Sequence, residues 1–196
     1  MKTQSLLSIL CALVAALVLR PSYAVAEETR FSVGVVPQFE ARKLAAIWTP
    51  VLEEISARAG VTLYLRGSAD IPEFEQSFQE GVYDFAYMNP YHSLVALRTQ
   101  GYEPIIRDNG RKLFGVLVVR KDSDFETVED LEGGVIAYPA PNALGASLLM
   151  RAVLDRDFGL EYRADFVKTH SSAYLNVALG AADAAGGVMG TFRSLD

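Results

Sequence analysis

Cysteine is nearly missing from this chain: the one thiol in 196 residues, Cys11, sits inside an apolar stretch at the start. Disulfides and thiolate chemistry are therefore excluded from everything downstream of it. Histidine is almost as scarce. Only His92 and His170 occur, and neither has a metal-ligand spacing such as His-Glu-x-x-His. No Gly-x-Ser-x-Gly elbow, phosphate loop or dinucleotide fingerprint occurs; "GVVPQFEAR" lacks the glycines that let a backbone close on pyrophosphate. The expectation is no enzyme, no cofactor and no metal. Long apolar runs are missing too after the first, "LLSILCALVAALVL" (Leu6–Leu19), which is itself shorter than the ~20 residues of a spanning helix.

That first run follows Lys2 and leads to the small residues "AVA", so residues 1–26 read as a cleaved export signal. Leu10 precedes Cys11 where lipid attachment needs a small residue, so Cys11 is not read as a lipid site. A thiol-free exported chain suits the bacterial periplasm. Loss of the signal removes Lys2 and Arg20, leaving 16 basic against 24 acidic residues, a formal charge of −8. So acidic a surface gains nothing by counterion release, which argues against nucleic acid or anionic membrane as partner. About half of the residues, 51%, are apolar, enough for a real core.

What is present alternates. "FSVGVV", "VTLYLR", "YDFAYM" and "EPIIR" read as strands, and helical spacing runs through Glu40–Ala59, "IPEFEQSFQEG" and Tyr91–Gln100. Pro50 predicts a kink or two abutting helices in the first of these. Leu44, Ile47, Trp48, Val51, Leu52 and Ile55 form its apolar stripe. A new series begins at "LFGVLVVRKDS": a short acidic helix in "FETVEDLEGG", the strand "VIAYP", a helix over Leu144–Asp155, a strand around "ADFVK", a helix over Ser172–Leu179 and "DAAGGV". Such alternation predicts an α/β fold with a parallel-rich sheet and helices on both faces. The change near Phe114–Val118 divides it into a lobe over residues 27–115 and a second, partial lobe over 116–196. No internal repeat is visible, and nothing in "GTFRSLD" resembles a closing helix.

In an open parallel sheet, ligands bind beyond the carboxyl ends of the strands, where helix N-termini present unpaired N–H groups. Three junctions carry small or polar residues there: "MNPYHS", "PAPNALGAS" and "KTHSSAY". They offer Asn89, Tyr91, His92 and Ser93; Asn142; and Thr169, His170, Ser171 and Ser172. From spacing alone, "MNPY" also reads as a plain turn with Pro90 at the first helical position, and "THSS" as a helix cap satisfying its own backbone. Asp84 reads as structural, and "DSDFETVEDLE" as a solvated face.

The stretches "VGVVPQFEARKLAAIWTPVLEEISARAG", "GVYDFAYMNPYHSLVA", "VVRKDSDFETVEDLEGGVIAYPAPNALGAS" and "THSSAYLNVALGAADAAGGV" resemble the periplasmic PhnD-type substrate-binding proteins of phosphonate, phosphite and phosphate ABC importers. The Gly-x-x-Asp-x-Ala motif, at Gly81–Ala86 and again at Gly180–Ala185, and the Asp-Leu-x-Gly of Asp130–Gly133 carry the likeness. The resemblance implies a two-lobed, type II periplasmic-binding-protein fold. It also implies closure on a small oxyanion, an ABC permease as partner and a monomer that performs no reaction. It places the ligand at Tyr87, Met88 and Asn89, at Asn142, Ala143, Leu144 and Gly145, and at His170; Tyr91, next along the first junction, is read as facing the same crevice. The chain departs from the family where Ala143 and Leu144 replace two hydroxyl donors. A buried ligand oxygen left without its donor costs about 1–3 kcal/mol. Gly190 stands where amino-phosphonate binders place an acidic group. Family members are longer, so the resemblance makes this chain a fragment with an incomplete second lobe. The same fold also serves as the extracytoplasmic sensing domain of signalling proteins such as sensor kinases, which is the alternative reading.

Overall fold

The computed structural model describes residues 29–110 and 112–195, so the expected export signal lies outside the described residues. Strands β1 (Arg30–Val35), β2 (Thr62–Arg66) and β3 (Phe85–Tyr87) form a parallel sheet in the order β2-β1-β3. Strands β4 (Gly115–Val119), β5 (Val135–Tyr138), β6 (Arg163–Phe166) and β7 (Ala184–Val188) form a second, in the order β4-β7-β5-β6. Here β5 is parallel to both β6 and β7, and β4 pairs antiparallel with β7.

Helices fill each crossover. In the first sheet, α1 (Ala41–Ala59) joins β1 to β2, α2 (Ile71–Gln79) joins β2 to β3, and α3 (Pro90–Gln100) follows β3. In the second, a π-helical turn (Leu144–Leu148) running into α4 (Leu149–Phe158) joins β5 to β6, α5 (His170–Ala178) joins β6 to β7, and the short α6 (Met189–Phe192) follows β7. With β4 set aside, the order β6-β5-β7 repeats β2-β1-β3. The chain thus uses one three-stranded plan twice, a repeat of topology marked in the residues only by the Gly-x-x-Asp-x-Ala motif leading into β3 and β7.

Each sheet has its own core. Val33, Val35, Leu44 and Leu52 pack one face of the first sheet, with Trp48 partly buried against them. Ile71, Phe74, Phe78, Tyr83 and Ala96 pack the other. In the second sheet, Ile136, Tyr138, Leu154 and Leu160 lie on one side and Ala137, Ala173, Tyr174 and Val177 on the other. The Ala/Gly composition of β7 follows from crowding on both faces: a Cβ at Gly186 would meet the Ala146 carbonyl and the Tyr138 ring, and one at Gly187 the Tyr174 hydroxyl. Helix ends follow their local signals. Gly60 closes α1 with a left-handed φ of 69°, and its N–H bonds the Ser56 carbonyl.

Four expectations change. "EPIIR" is not a strand: no strand pairs with it among the described residues, and Ile105 and Ile106 are 74% and 88% exposed. Pro104 removes a ladder donor from this segment. Of the two outcomes expected at Pro50, two abutting helices do not form: α1 is one helix from Ala41 to Ala59. Ala46, whose carbonyl loses its partner to Pro50, lies on the exposed side where water can serve it. The apolar stripe of α1 is only half used: Leu44 and Leu52 are buried, whereas Ile47, Val51 and Ile55 are each more than 40% exposed. The acidic segment forms just a 3-10 turn over Glu129–Leu131 because Asp130 turns back to accept from the Glu126 and Thr127 amides. "MGTF" forms the four-residue α6.

Candidate functional site

In a sheet ordered 2-1-3 the crevice opens between the first and third strands, where consecutive crossovers leave in opposite directions. Two such points exist here, at β1/β3 and at β5/β7. The junctions after β3 and β5 are two of the three singled out from the sequence.

At the first, Asn89 caps α3: its Oδ1 accepts from the His92 amide at 2.9 Å, with Pro90 in the first turn. The Asn89 amide nitrogen faces His92 Nδ1 at 3.2 Å. His92 is 1% exposed, packed against Phe74 and Phe78. Its Nε2 lies 2.9 Å from Glu75 Oε1 on α2. The other oxygen of that carboxylate, Oε2, accepts from Asn142 Nδ2 at 3.1 Å, and Asn142 belongs to the junction after β5. Ala140, on the same junction, is buried in the core cluster of Val36, Phe74 and Phe78. The two junctions therefore meet across α2.

The remaining expected residues are distributed around this contact. Tyr87 is half exposed at the end of β3, its ring 4.7 Å from that of Trp48. Met88 packs on the core cluster of Phe74 and Phe78. Tyr91 lies beside His92, with ring centroids 6.3 Å apart. Ala143 is buried with Ala146 and Val188, so its side chain serves packing. Leu144 is half buried and Gly145 buried at the start of the π-helical turn, which has no side-chain cap. The first N–H groups of that turn have no intrahelical partner and are the donors this junction offers in place of hydroxyls.

The third junction follows β6, away from a switch point. Thr169 caps α5, accepting from the Ser172 amide at 3.0 Å, as "THSS" leads one to expect. His170 is 4% exposed, with Nδ1 3.4 Å from Thr191 Oγ1, which in turn lies 2.9 Å from the Tyr174 hydroxyl. Burial pushes its pKa down to about 4, so the imidazole is neutral at pH 7. The structure does not bring His170 into contact with Asn89 or Asn142. Its neighbour Lys168, held at a left-handed φ of 77°, reaches α2 instead, with Nζ 3.3 Å from Oδ2 of Asp70, the α2 N-cap.

Glu75 is the residue that sequence reading missed. A signal was present: apolar 71, 74 and 78 define the buried stripe of α2, and position 75 falls on it, four residues after Ile71 and three before Phe78. Asp84 holds structure as expected, its Oδ2 accepting from the Ser32 amide and hydroxyl, both at 2.7 Å. These bonds hold its carboxyl below the usual range. Asp183, in the second copy of the same motif, accepts from the Val135 amide at 2.8 Å.

A separate hollow of about 310 Å³, lined by Gly81, Tyr83, Gln100, Gly101 and Tyr102, lies at the C-terminal ends of α2 and α3. The helix dipole is negative there, which disfavours an anion. Among the described residues, no group of three or more His, Cys, Asp or Glu could hold a metal, and no helix is long and apolar enough to cross a membrane.

Comparison with known proteins gives these features a family. Residues 33–196 match the model of a family described as the periplasmic substrate-binding protein of the phosphonate ABC transporter. The fold is similar to a binding protein component of an ABC phosphonate transporter from Pseudomonas aeruginosa: TM-score 0.71, 15% identity, 85% of this chain and 59% of that one. It is similar to PhnD1 from Prochlorococcus marinus in complex with methylphosphonate: TM-score 0.75, 17% identity, 84% of this chain and 65% of that one. A weaker likeness, TM-score 0.55 at 21% identity, covers 84% of this chain and 68% of the periplasmic VFT2 domain of BvgS from Bordetella pertussis. The chain thus spans about 59–65% of the length of the two phosphonate-related structures, and the likeness shows a periplasmic-binding-protein fold.

Proposed function

Since the chain belongs to the family of periplasmic substrate-binding proteins of phosphonate ABC transporters, we propose that it captures a phosphonate, phosphite, phosphate or similar small oxyanion outside the cytoplasmic membrane. It then delivers the anion to an ABC permease. Residues 27–115 and 116–196 are two lobes that close on the ligand, and the protein acts as a monomer in the periplasm without chemical turnover. Tyr87, Met88, Asn89 and Tyr91 line one wall. Asn142 and the backbone of Ala143, Leu144 and Gly145 line the other, with His170 at the side.

The observation that carries this reading is the meeting of the β3 and β5 junctions through Asn89, His92, Glu75 and Asn142. Both junctions stand at switch points, the places where helix starts offer amide donors to a ligand in open parallel sheets. Two amide side chains and a buried, neutral His170 suit a ligand bound by hydrogen bonds rather than by ion pairs.

A thermal-shift screen with phosphate, phosphite, methylphosphonate, sulfate and small organic acids tests the ligand class. A ligand held at a hundred times its dissociation constant adds about 2.7 kcal/mol of stability. A phosphorus oxyanion is expected to raise Tm where small carboxylic acids do not. A chain stabilised by carboxylic acids alone would contradict the reading.

A further inference from the structure

Glu75 belongs to none of the motifs that carry the family likeness, yet its carboxylate is hydrogen-bonded to both junctions. We propose that Glu75 is a positioning residue that latches the two lobes: its carboxylate holds Asn142 against the Asn89–His92 cap, and closure depends on its hydrogen bonds to both partners. The proposal rests on the two-lobed reading above but not on the identity of the ligand.

The hydrogen-bond chain has a fixed direction. Because Asn89 Oδ1 is engaged by the His92 amide, the side of Asn89 that faces the imidazole is its NH2 group. An NH2 group only donates, so His92 Nδ1 must carry a bare lone pair. The ring proton then sits on Nε2 and is donated to Glu75 Oε1, 2.9 Å away. Asn142 also approaches with its nitrogen, 3.1 Å from Oε2, and donates as well. Glu75 thus receives one donor on each oxygen, and no part of the site asks it to donate.

Surroundings reinforce the role. The Glu75 side chain is 14% exposed and the His92 side chain 1%. Ala140 seals the contact from the second lobe by packing beside Phe74 and Phe78. A hydrogen bond shielded in this way is stronger than one in water, and leaving a partner bare is correspondingly costly. A leucine at position 75 offers no acceptor and leaves the His92 and Asn142 donors bare. A glutamine is the milder change: its oxygen accepts from His92 and, once the Asn142 amide turns over, its NH2 donates to Asn142 Oδ1, so both links persist.

The same logic supplies a rescue, because the conservative change E75Q keeps one acceptor for His92 and one group for Asn142. The test uses spin labels at R58C and R156C on the two lobes with Cys11→Ser, together with 15N chemical shifts of His92. The expected wild-type result is a proton on Nε2 and a bare Nδ1, with a short inter-lobe distance. E75L is expected to shift the open-to-closed ratio about tenfold or more toward open, as fits the loss of shielded hydrogen bonds, and E75Q to retain the short distance. A proton on His92 Nδ1 in the unaltered chain would overturn the latch without any variant. So would an unchanged distance in E75L, or an E75Q chain no more closed than E75L. Failure of every oxyanion to bind would sink the ligand assignment and leave these readouts as they stand.

Discussion

Asp84 and Asp183 do the same work in the two sheets, each accepting the amide of a strand parallel to the one it precedes. For Asp84 the Ser32 hydroxyl and then the Ser32 amide lower the carboxyl pKa in the folded protein. A depressed carboxylate contributes stability that is complete above its unfolded value and lost as pH falls through the lower folded value. Ser32→Ala is therefore expected to raise the Asp84 pKa toward 3.8, as read by NMR titration of its carboxyl carbon. A titration identical to that of the wild type would contradict the assignment. His170 obeys the same sign for a different reason. Burial depresses its pKa from 6.5 to about 4, so between those values the unfolded chain binds a proton that the folded chain refuses. Stability is expected to fall as pH drops from 6.5 toward 4, and His170→Gln to flatten that part of the curve in chemical denaturation. A wild-type curve already flat over this interval would show that His170 is not buried neutral.

Among the elements, those with local punctuation were legible in the residues. Gly60 ends α1, Pro72 opens α2, and "MNP" starts α3 with Asn89 as cap and Pro90 in the first turn. Elements that depend on a distant partner were not. Glu103–Arg107 has strand-like residues but meets no strand among the described residues, so its isoleucines lie exposed. The contact of Glu75 with Asn142 spans 67 positions in sequence and follows no short-range rule. Only its place on the buried stripe of α2 hints at a partner. The composition of β7 was visible as an Ala/Gly patch, but its cause, the Ala146 carbonyl and the Tyr138 and Tyr174 rings pressing on either face, is tertiary. Gly186→Ala is accordingly expected to destabilise the protein by about 1–3 kcal/mol in urea denaturation, the cost of overpacking a filled site. A change below a few tenths of that would mean that the π-helical turn can retreat. Removing the α5 cap with Thr169→Ala is expected to cost about 1 kcal/mol by the same method. No loss would mean that the Ser172 amide finds another acceptor.

For the whole molecule, the plan β2-β1-β3 and its second use as β6-β5-β7 explain why two switch points exist, and the Glu75–Asn142 bond links their junctions. The family was legible in the sequence because its motifs are local. The structure adds that Ala143 is turned into the core, so on the proposed reading the donors of that wall are backbone amides and Asn142. The central claim is that Asn89 and Asn142 face one ligand across a shared cleft. Calorimetric titration of methylphosphonate into the wild type and into Asn142→Ala tests it most directly. The expected result is saturable binding by the wild type and an affinity lower by roughly tenfold or more in the variant, which loses its donor to the anion together with its bond to Glu75. Equal affinities in the two proteins would contradict the account.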